Sequence, residues 1–308
     1  MYRYRRMIVG MNLNEKDPVL VREAARLAEL GGSEKIVYLH VLSAQEIPEK
    51  ISKEYPQLLS PFHELAEERI KKTVLENSSE SDIFECRIRE GLPIKVILEE
   101  VKALDADIVL LGRNYSHKRS NKKLTENIAR KAPCSVFIVP SESHYRKIKN
   151  IMVASDGSSH SKSALEEAIL LAKSLRLESV SCLTVYHVPM GYHSTGKSYE
   201  EFAEIMLANA KLEFKELTEG LDVGGIDIKP VFELDEHVEK GILSAVNRES
   251  VDILIVGARG RSTGASILLG SVTEHLIGNI NIPLLAVKNK SAGVDFFEAM
   301  LDVLMTGN

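Results

Sequence analysis

The sequence predicts an α/β protein of two tandem, open, parallel five-stranded sheets, each covered by helices on both faces. Three observations predict it. Short apolar runs alternate with amphipathic stretches along the chain, an order that builds parallel sheets with helices above and below. The order occurs twice. Arg6-Met-Ile-Val-Gly-Met11 matches Asn150-Ile-Met-Val-Ala-Ser155 at an offset of 144 residues, and Asp107-Ile-Val-Leu-Leu-Gly112 matches Asp252-Ile-Leu-Ile-Val-Gly257 at 145. Between them, Tyr38-Leu-His40-Val41 matches Val185-Tyr-His187-Val188 at 147. Three anchors at nearly constant spacing indicate a duplicated domain, with a period too long for a solenoid.

In the first half, 7–11 reads as a buried strand. Asp17-Pro18 then starts a helix, with Asp as the N-cap and Pro in the first helical position. Leu20, Ala24, Leu27 and Ala28 share one face, and Gly31-Gly32 ends the helix. A strand over 36–42, a helix over 62–75, a strand over 84–89, a helix over 93–104 and a strand over 106–111 follow, then a short helix over 126–131 and a last strand over 134–139. The second half repeats the order, with strands near 151–155, 180–188, 226–232, 252–256 and 283–288 and helices near 159–175, 199–219, 236–249 and 271–279. A polar stretch near 140–147 is the linker, so the expected domains are 1–142 and 148–290. The tail, 291–308, lies outside the repeat; Val294, Phe297, Leu301 and Leu304 fall on one helical stripe. That stripe suits a helix packed on its own chain, a dimer contact or a membrane-surface anchor, and its acids weigh against the last.

At 308 residues, with 44% hydrophobic and 27% charged residues, the composition is that of an ordinary soluble chain. A formal charge of −5 offers no attraction to nucleic acid or to an anionic membrane surface. Cys86, Cys134 and Cys182 lie far apart, with neither zinc nor disulfide-framework spacing, and are expected as reduced cytoplasmic thiols. The basic start Met1-Tyr-Arg-Tyr-Arg-Arg6 leads into a strand rather than a signal segment, and no apolar run is long enough to span a bilayer.

The chemistry concentrates in Gly257-Ala-Arg-Gly260, followed nine residues later by Gly270-Ser271. A buried strand precedes this stretch and a helix start, Val272-Thr-Glu-His-Leu-Ile277, follows it. Glycines admit close backbone approach, and a helix N-terminus favours negative charge. The spacing G-x2-G-x9-G-S is neither the dinucleotide fingerprint nor a Walker loop. It resembles the nucleotide-binding motif of the ATP-binding universal stress proteins, and the resemblance covers the chain as two tandem domains. The resemblance implies adenine and ribose at the carboxyl ends of the first, second and fourth strands of the second half, where ligands of open parallel sheets bind. It assigns the nucleoside hydrogen bonds to Asp156 with Ala154 and Ser155 beside it, an apolar adenine contact to Val188, and Val256 to the end of the fourth strand. Gly257 and Gly260 would wrap ribose and phosphates; Gly270, Ser271, Val272 and Thr273 would hold phosphates through amides and hydroxyls. The implied ligand is ATP, ADP or AMP, with Mg2+ held mainly through the phosphates. The implied setting is a cytoplasmic stress-response protein, as a homodimer, with a protein partner the sequence does not name.

The first half departs from this pattern. Asn12 replaces the acid, Tyr115 stands at the second glycine, Lys122-Lys123 replace Gly270-Ser271, and the loop from Gly112 to Thr125 is three residues shorter. The nucleotide site is therefore expected to be lost there. Lys118, Arg119, Lys122 and Lys123 form a basic cluster that reads as solvated surface or as an anion site.

Gly191-Tyr-His-Ser-Thr-Gly196-Lys197-Ser198 satisfies the Walker A pattern. It follows the second strand of the repeat rather than the first, Pro189-Met190 separate it from the strand, and no Walker B acid accompanies it. A mobile loop, or a lid bringing His193 and Lys197 to a phosphate, suits it better. No catalytic residues are assigned: the histidines lack metal spacing, and Ser158, Ser159 and His160 are adjacent and cannot face one another as a triad. His40 and His187 are expected as core histidines with satisfied rings. The reading is regulatory nucleotide binding in the second half; a slow ATP hydrolase or phosphotransferase using Lys197, and a scaffold that binds no nucleotide, are the alternatives.

Overall fold

The computed structural model describes residues 4–42, 51, 54–55, 60–78, 83–113, 119–140, 145–260 and 269–288. The tail over 291–308, Tyr115 and Lys118 lie outside the described residues. The chain divides between Arg146 and Lys147 into two compact units.

In the first unit the elements run β1 (Arg6–Met11), α1 (Asp17–Gly31), β2 (Lys35–Leu42), α2 (Ser60–Asn77), β3 (Phe84–Glu90), α3 (Pro93–Leu104), β4 (Ile108–Arg113), α4 (Arg119–Lys131) and β5 (Ser135–Pro140). All strand pairs are parallel, in the order β3-β2-β1-β4-β5. The second unit runs β6 (Ile151–Ala154), α5 (Ser159–Ser174), β7 (Ser179–Tyr186), a 3-10 turn (Tyr192–Thr195), α6 (Tyr199–Thr218), β8 (Asp227–Leu234), α7 (Val238–Arg248), β9 (Ile253–Gly257), α8 (Ser271–Asn279) and β10 (Leu284–Val287). Its order is β8-β7-β6-β9-β10, again parallel throughout.

Central strands are buried on both faces and read as continuous apolar runs: Met7, Ile8 and Val9 in β1, Ile253, Leu254 and Ile255 in β9. The outer strands β3 and β8 carry the charges instead, with Glu85, Arg87 and Arg89 on one and Asp227, Lys229 and Glu233 on the other. Charged edges discourage further strand addition. In each unit the chain fills one side of the first strand and then crosses to the other, so β1/β4 and β6/β9 are the switch points where a crevice opens at the carboxyl ends.

Several local expectations change. Helix α1 begins at Asp17 itself, with Lys16 in the N-cap position and no side-chain cap. The Asp17 carboxylate turns inward, is buried, and accepts the Asn12 N–H at 3.3 Å. Gly32 closes α1 in the left-handed region at φ 61°. Helix α4 begins at Arg119 rather than near 126, two turns earlier than its apolar residues suggest. The end of the linker is tied to α1: the Arg26 guanidinium lies 4.2 Å over the Tyr145 ring and donates to the Arg146 carbonyl at 2.6 Å. None of the three cysteines forms a disulfide, and Cys134 and Cys182 are buried. Among the described residues no helix is long and apolar enough to cross a membrane.

Strand register corrects one repeat anchor. Ile8 pairs with Val37 and Met152 pairs with Ser181. If β1 matches β6 at an offset of 144, β2 matches β7 at the same offset, not at 147. Val41 therefore corresponds to Val185, and His40 to Thr184. His187 lies past the end of β7 and is exposed, so it is not a core histidine. His40 is half-buried, with its ring Nδ1 2.9 Å from the Met11 carbonyl.

Candidate functional site

A cavity of about 270 Å³ opens at the carboxyl ends of β6, β7 and β9. Its floor is Ala154, Ser155 and Asp156 as the chain leaves β6, and Val256 and Gly257 as β9 ends. Arg259 and Gly260 form one rim, and Gly270, Ser271, Val272 and Thr273, the start of α8, form another. Leu183 and Val185 of β7 with Val238 and Ile242 of α7 make an apolar wall. One end is thus apolar; the other carries backbone amides and charges.

The polar end is built by short-range bonds. The Asp156 Oδ1 accepts from the Ser158 N–H at 3.0 Å and the Ser161 hydroxyl at 2.7 Å. Ser158 caps α5 by accepting the Ser161 N–H at 3.2 Å. These bonds fix the carboxylate at the mouth. Arg259, half-buried, supplies a positive charge on the opposite rim. Burial and then the Arg259 charge hold the nearby His160 below the usual imidazole range, against the pull of Asp156.

The glycines serve different ends. A Cβ on Gly260 would stand 2.7 Å from the Asp156 Oδ2, so a side chain there would have to displace the carboxylate. A Cβ on Gly257 would stand 2.7 Å from the His160 carbonyl carbon, so this glycine admits α5 against the end of β9 rather than a ligand. Gly270 has an ordinary backbone, φ −76°, and a Cβ there would meet no atom closer than 3.7 Å. Its N–H donates to the Ala258 carbonyl at 2.8 Å, which closes the loop onto β9. Gly270 is the N-cap of α8 and brings no side-chain cap, so the first-turn amides over 271–273 are left for another acceptor. The Thr273 hydroxyl donates to the Gly257 carbonyl at 3.1 Å and is buried. Its proton is directed there in this structure, while the Ser271 hydroxyl is exposed.

The structure brings the residues assigned to nucleotide contact to this cavity with one exception. Val188 does not line it; Val185, three residues earlier, does, as the register of β6 and β7 requires. Leu183, Val238, Ile242, Ser161 and Arg259 line it without having been singled out. Arg259 lay within the quoted Gly-Ala-Arg-Gly motif; Val238 and Ile242 carried only the one-turn apolar spacing of any amphipathic helix. His193 and Lys197 do not line the cavity. Their segment packs on α6 instead: Tyr192 contacts the rings of Tyr199 and Phe202, with centroids 5.7 and 6.4 Å away. Ser198 and Glu201 form a reciprocal capping box at the start of α6, with bonds of 3.2 and 2.8 Å. The Walker-like string is thus a turn and a helix cap.

The universal stress protein family model matches the chain twice, over residues 3–140 and 147–288. The chain is 31% identical over 136 residues to universal stress protein MJ0577 of Methanocaldococcus jannaschii, covering 42% of this chain and 83% of that protein. It is 30% identical over 142 residues to universal stress protein MJ0531 of the same organism, covering 46% and 82%. Its fold is similar to the crystal structure of a universal stress protein from Archaeoglobus fulgidus, with a TM-score of 0.63 and 17% identity over 92% of this chain and 96% of that one. With two family domains in tandem on two parallel α/β sheets, the chain belongs to the universal stress protein family of stress-response proteins.

Proposed function

We propose that the second domain, 148–290, binds an adenine nucleotide, ATP or its ADP or AMP relatives, as a regulatory module. The observation that carries the reading is the two-ended cavity. An apolar wall of Leu183, Val185, Val238 and Ile242 suits a flat heterocycle, and the uncapped start of α8 with Arg259 suits phosphate. Asp156 lies at the mouth between them, where a carboxylate suits ribose hydroxyls. These residues fit the ligand: Gly260 and Gly270 leave room for phosphate oxygens near the amides, and Ser271 adds a hydroxyl. Mg2+ would be carried by the phosphates.

Binding rather than turnover is the reading. His160, beside the amide end, is shifted below the usual imidazole range by burial and Arg259, and its backbone packs against Gly257. Among the described residues that line the cavity, Asp156 is the one carboxylate, and it is already bonded to Ser158 and Ser161. The bound state would fix the rim formed by 257–260 and 269–271 and so alter the surface offered to a protein partner. The segment over 189–198, packed on α6, has no part in that change. A cytoplasmic homodimer is the setting this reading assumes.

An ATP titration of the full chain by calorimetry tests it. The wild type is expected to bind. Gly270→Val, whose backbone tolerates the substitution but whose branched side chain fills the amide end, is expected to fold and not bind. Equal affinity in the two proteins removes this reading.

A further inference from the structure

The first domain has its own cavity, of about 170 Å³, at the carboxyl ends of β1, β2 and β4. We infer that this cavity is a site for an uncharged, ring-shaped ligand bearing one N–H or O–H donor, not the remnant of a phosphate site.

The first argument is helix register. Thr125 and Thr273 line their respective cavities and are both buried. Thr273 is the third residue of α8, so the free amides of that helix edge the second-domain cavity. Thr125 is the seventh residue of α4, because that helix starts at Arg119. The amides beside the first-domain cavity therefore belong to the helix body, where each already has its carbonyl partner. The helix N-terminus, the feature that attracts anions, is about one turn further out. The lysines that replace Gly270-Ser271 in sequence fall inside this helix rather than on a phosphate loop.

The second argument is the lining. Met11, Leu39, Ile97, Leu111, Leu124 and Ile128 make a predominantly apolar wall. Leu111 and Leu124 approach from two elements, and Leu111 presses on the Cα of Gly10, where a Cβ would stand 2.9 Å from its Cδ2. A cavity of about 150 Å³ accommodates a benzene ring, so this space suits one ring or a small fused pair.

The third argument is the polar group that remains. The His40 Nδ1 lies 2.9 Å from the Met11 carbonyl. A carbonyl only accepts, so Nδ1 is the donor of this pair, and in that tautomer Nε2 is the ring's acceptor. His40 lines the cavity, and Asn12 stands exposed at its mouth. An acceptor on an otherwise apolar wall favours a ligand with a matching donor, by about the worth of one hydrogen bond.

The test is a methyl-resolved NMR titration of the full chain with indole, and with indene as the same-shaped probe lacking the N–H. Indole is expected to shift the Ile97, Leu111 and Ile128 methyls saturably. Indene is expected to bind there roughly three- to tenfold more weakly, the worth of one hydrogen bond. In His40→Leu the two probes are expected to bind equally, and in Ile97→Phe neither is expected to bind. No saturable shift of those methyls with indole overturns the inference. So does equal binding of indole and indene to the wild type, or a shift of the same methyls by ATP. These readouts lie in the first domain, so their failure is distinct from a failure of nucleotide binding in the second.

Discussion

Gly257 ends β9 directly against His160 of α5, so closely that a Cβ would stand 2.7 Å from the His160 carbonyl carbon and 2.8 Å from its oxygen. The first glycine of the motif therefore joins a strand to a helix. Asp156 and Gly260, placed by that junction, bound the cavity. Gly257→Ala is expected to destabilise the second domain by about 1–3 kcal/mol through overpacking against backbone that cannot yield. Urea denaturation followed by circular dichroism measures it; an unchanged midpoint means that α5 is not held by this contact.

Asp156 is bonded to Ser158 and Ser161 and, in the proposed reading, also faces the ligand. Asp156→Asn keeps an oxygen for the Ser158 N–H and the Ser161 hydroxyl but loses the charge. Thermal stability is expected to change by less than about 1 kcal/mol, while ATP affinity falls roughly tenfold or more with loss of a charge-assisted acceptor. Asp156→Ala is expected to lose affinity and about 1 kcal/mol of stability as well. Calorimetric titration beside thermal melts separates the two; an Asn variant that binds ATP as the wild type does would take Asp156 out of the ligand site.

The Walker-like segment is expected to be silent in binding. Lys197→Ala should leave ATP affinity unchanged, because Lys197 does not line the cavity. Ser198→Ala should cost about 1 kcal/mol by removing half of the capping box. If Lys197→Ala weakens ATP binding tenfold, the segment closes over the ligand after all.

The fold was legible because alternation and duplication are written in local patterns: buried strands as apolar runs, α1 as a stripe ended by Gly31-Gly32, the cavity rim as glycines at fixed spacing. The lateral register of strands was not. A strand buried on both faces has no period-two signal, so a chance His-Val match placed Val188 where Val185 belongs. Nor was the start of α4 legible, since Arg119-Ser-Asn-Lys-Lys123 carries no apolar stripe. Nor does a sequence record that the Thr273 hydroxyl is directed to the Gly257 carbonyl.

Stability of the first domain is expected to depend on pH through Glu23. This carboxyl is buried on α1, 3.0 Å from Arg26, and burial pushes it up to about 7 despite that partner. Between its ordinary value and about 7 the unfolded chain releases a proton that the folded chain keeps. Stability is therefore present at low pH and lost as pH rises through that window. Asp17, also raised by burial, adds the same sign. The loss between pH 5 and pH 8 is expected to be on the order of 2 kcal/mol, and Glu23→Gln should flatten it. Denaturation midpoints across that range check this; a wild type that gains stability over the window contradicts it.

The central claim, one adenine nucleotide site confined to the second domain, is tested most directly by counting. The purified chain is saturated with ATP and freed of excess, and the nucleotide released on denaturation is quantified by mass spectrometry. One adenine nucleotide per chain, and none with Gly270→Val, is the expected result. Two per chain would mean that the extended start of α4 does not exclude phosphate from the first domain. None in the wild type would contradict nucleotide binding outright.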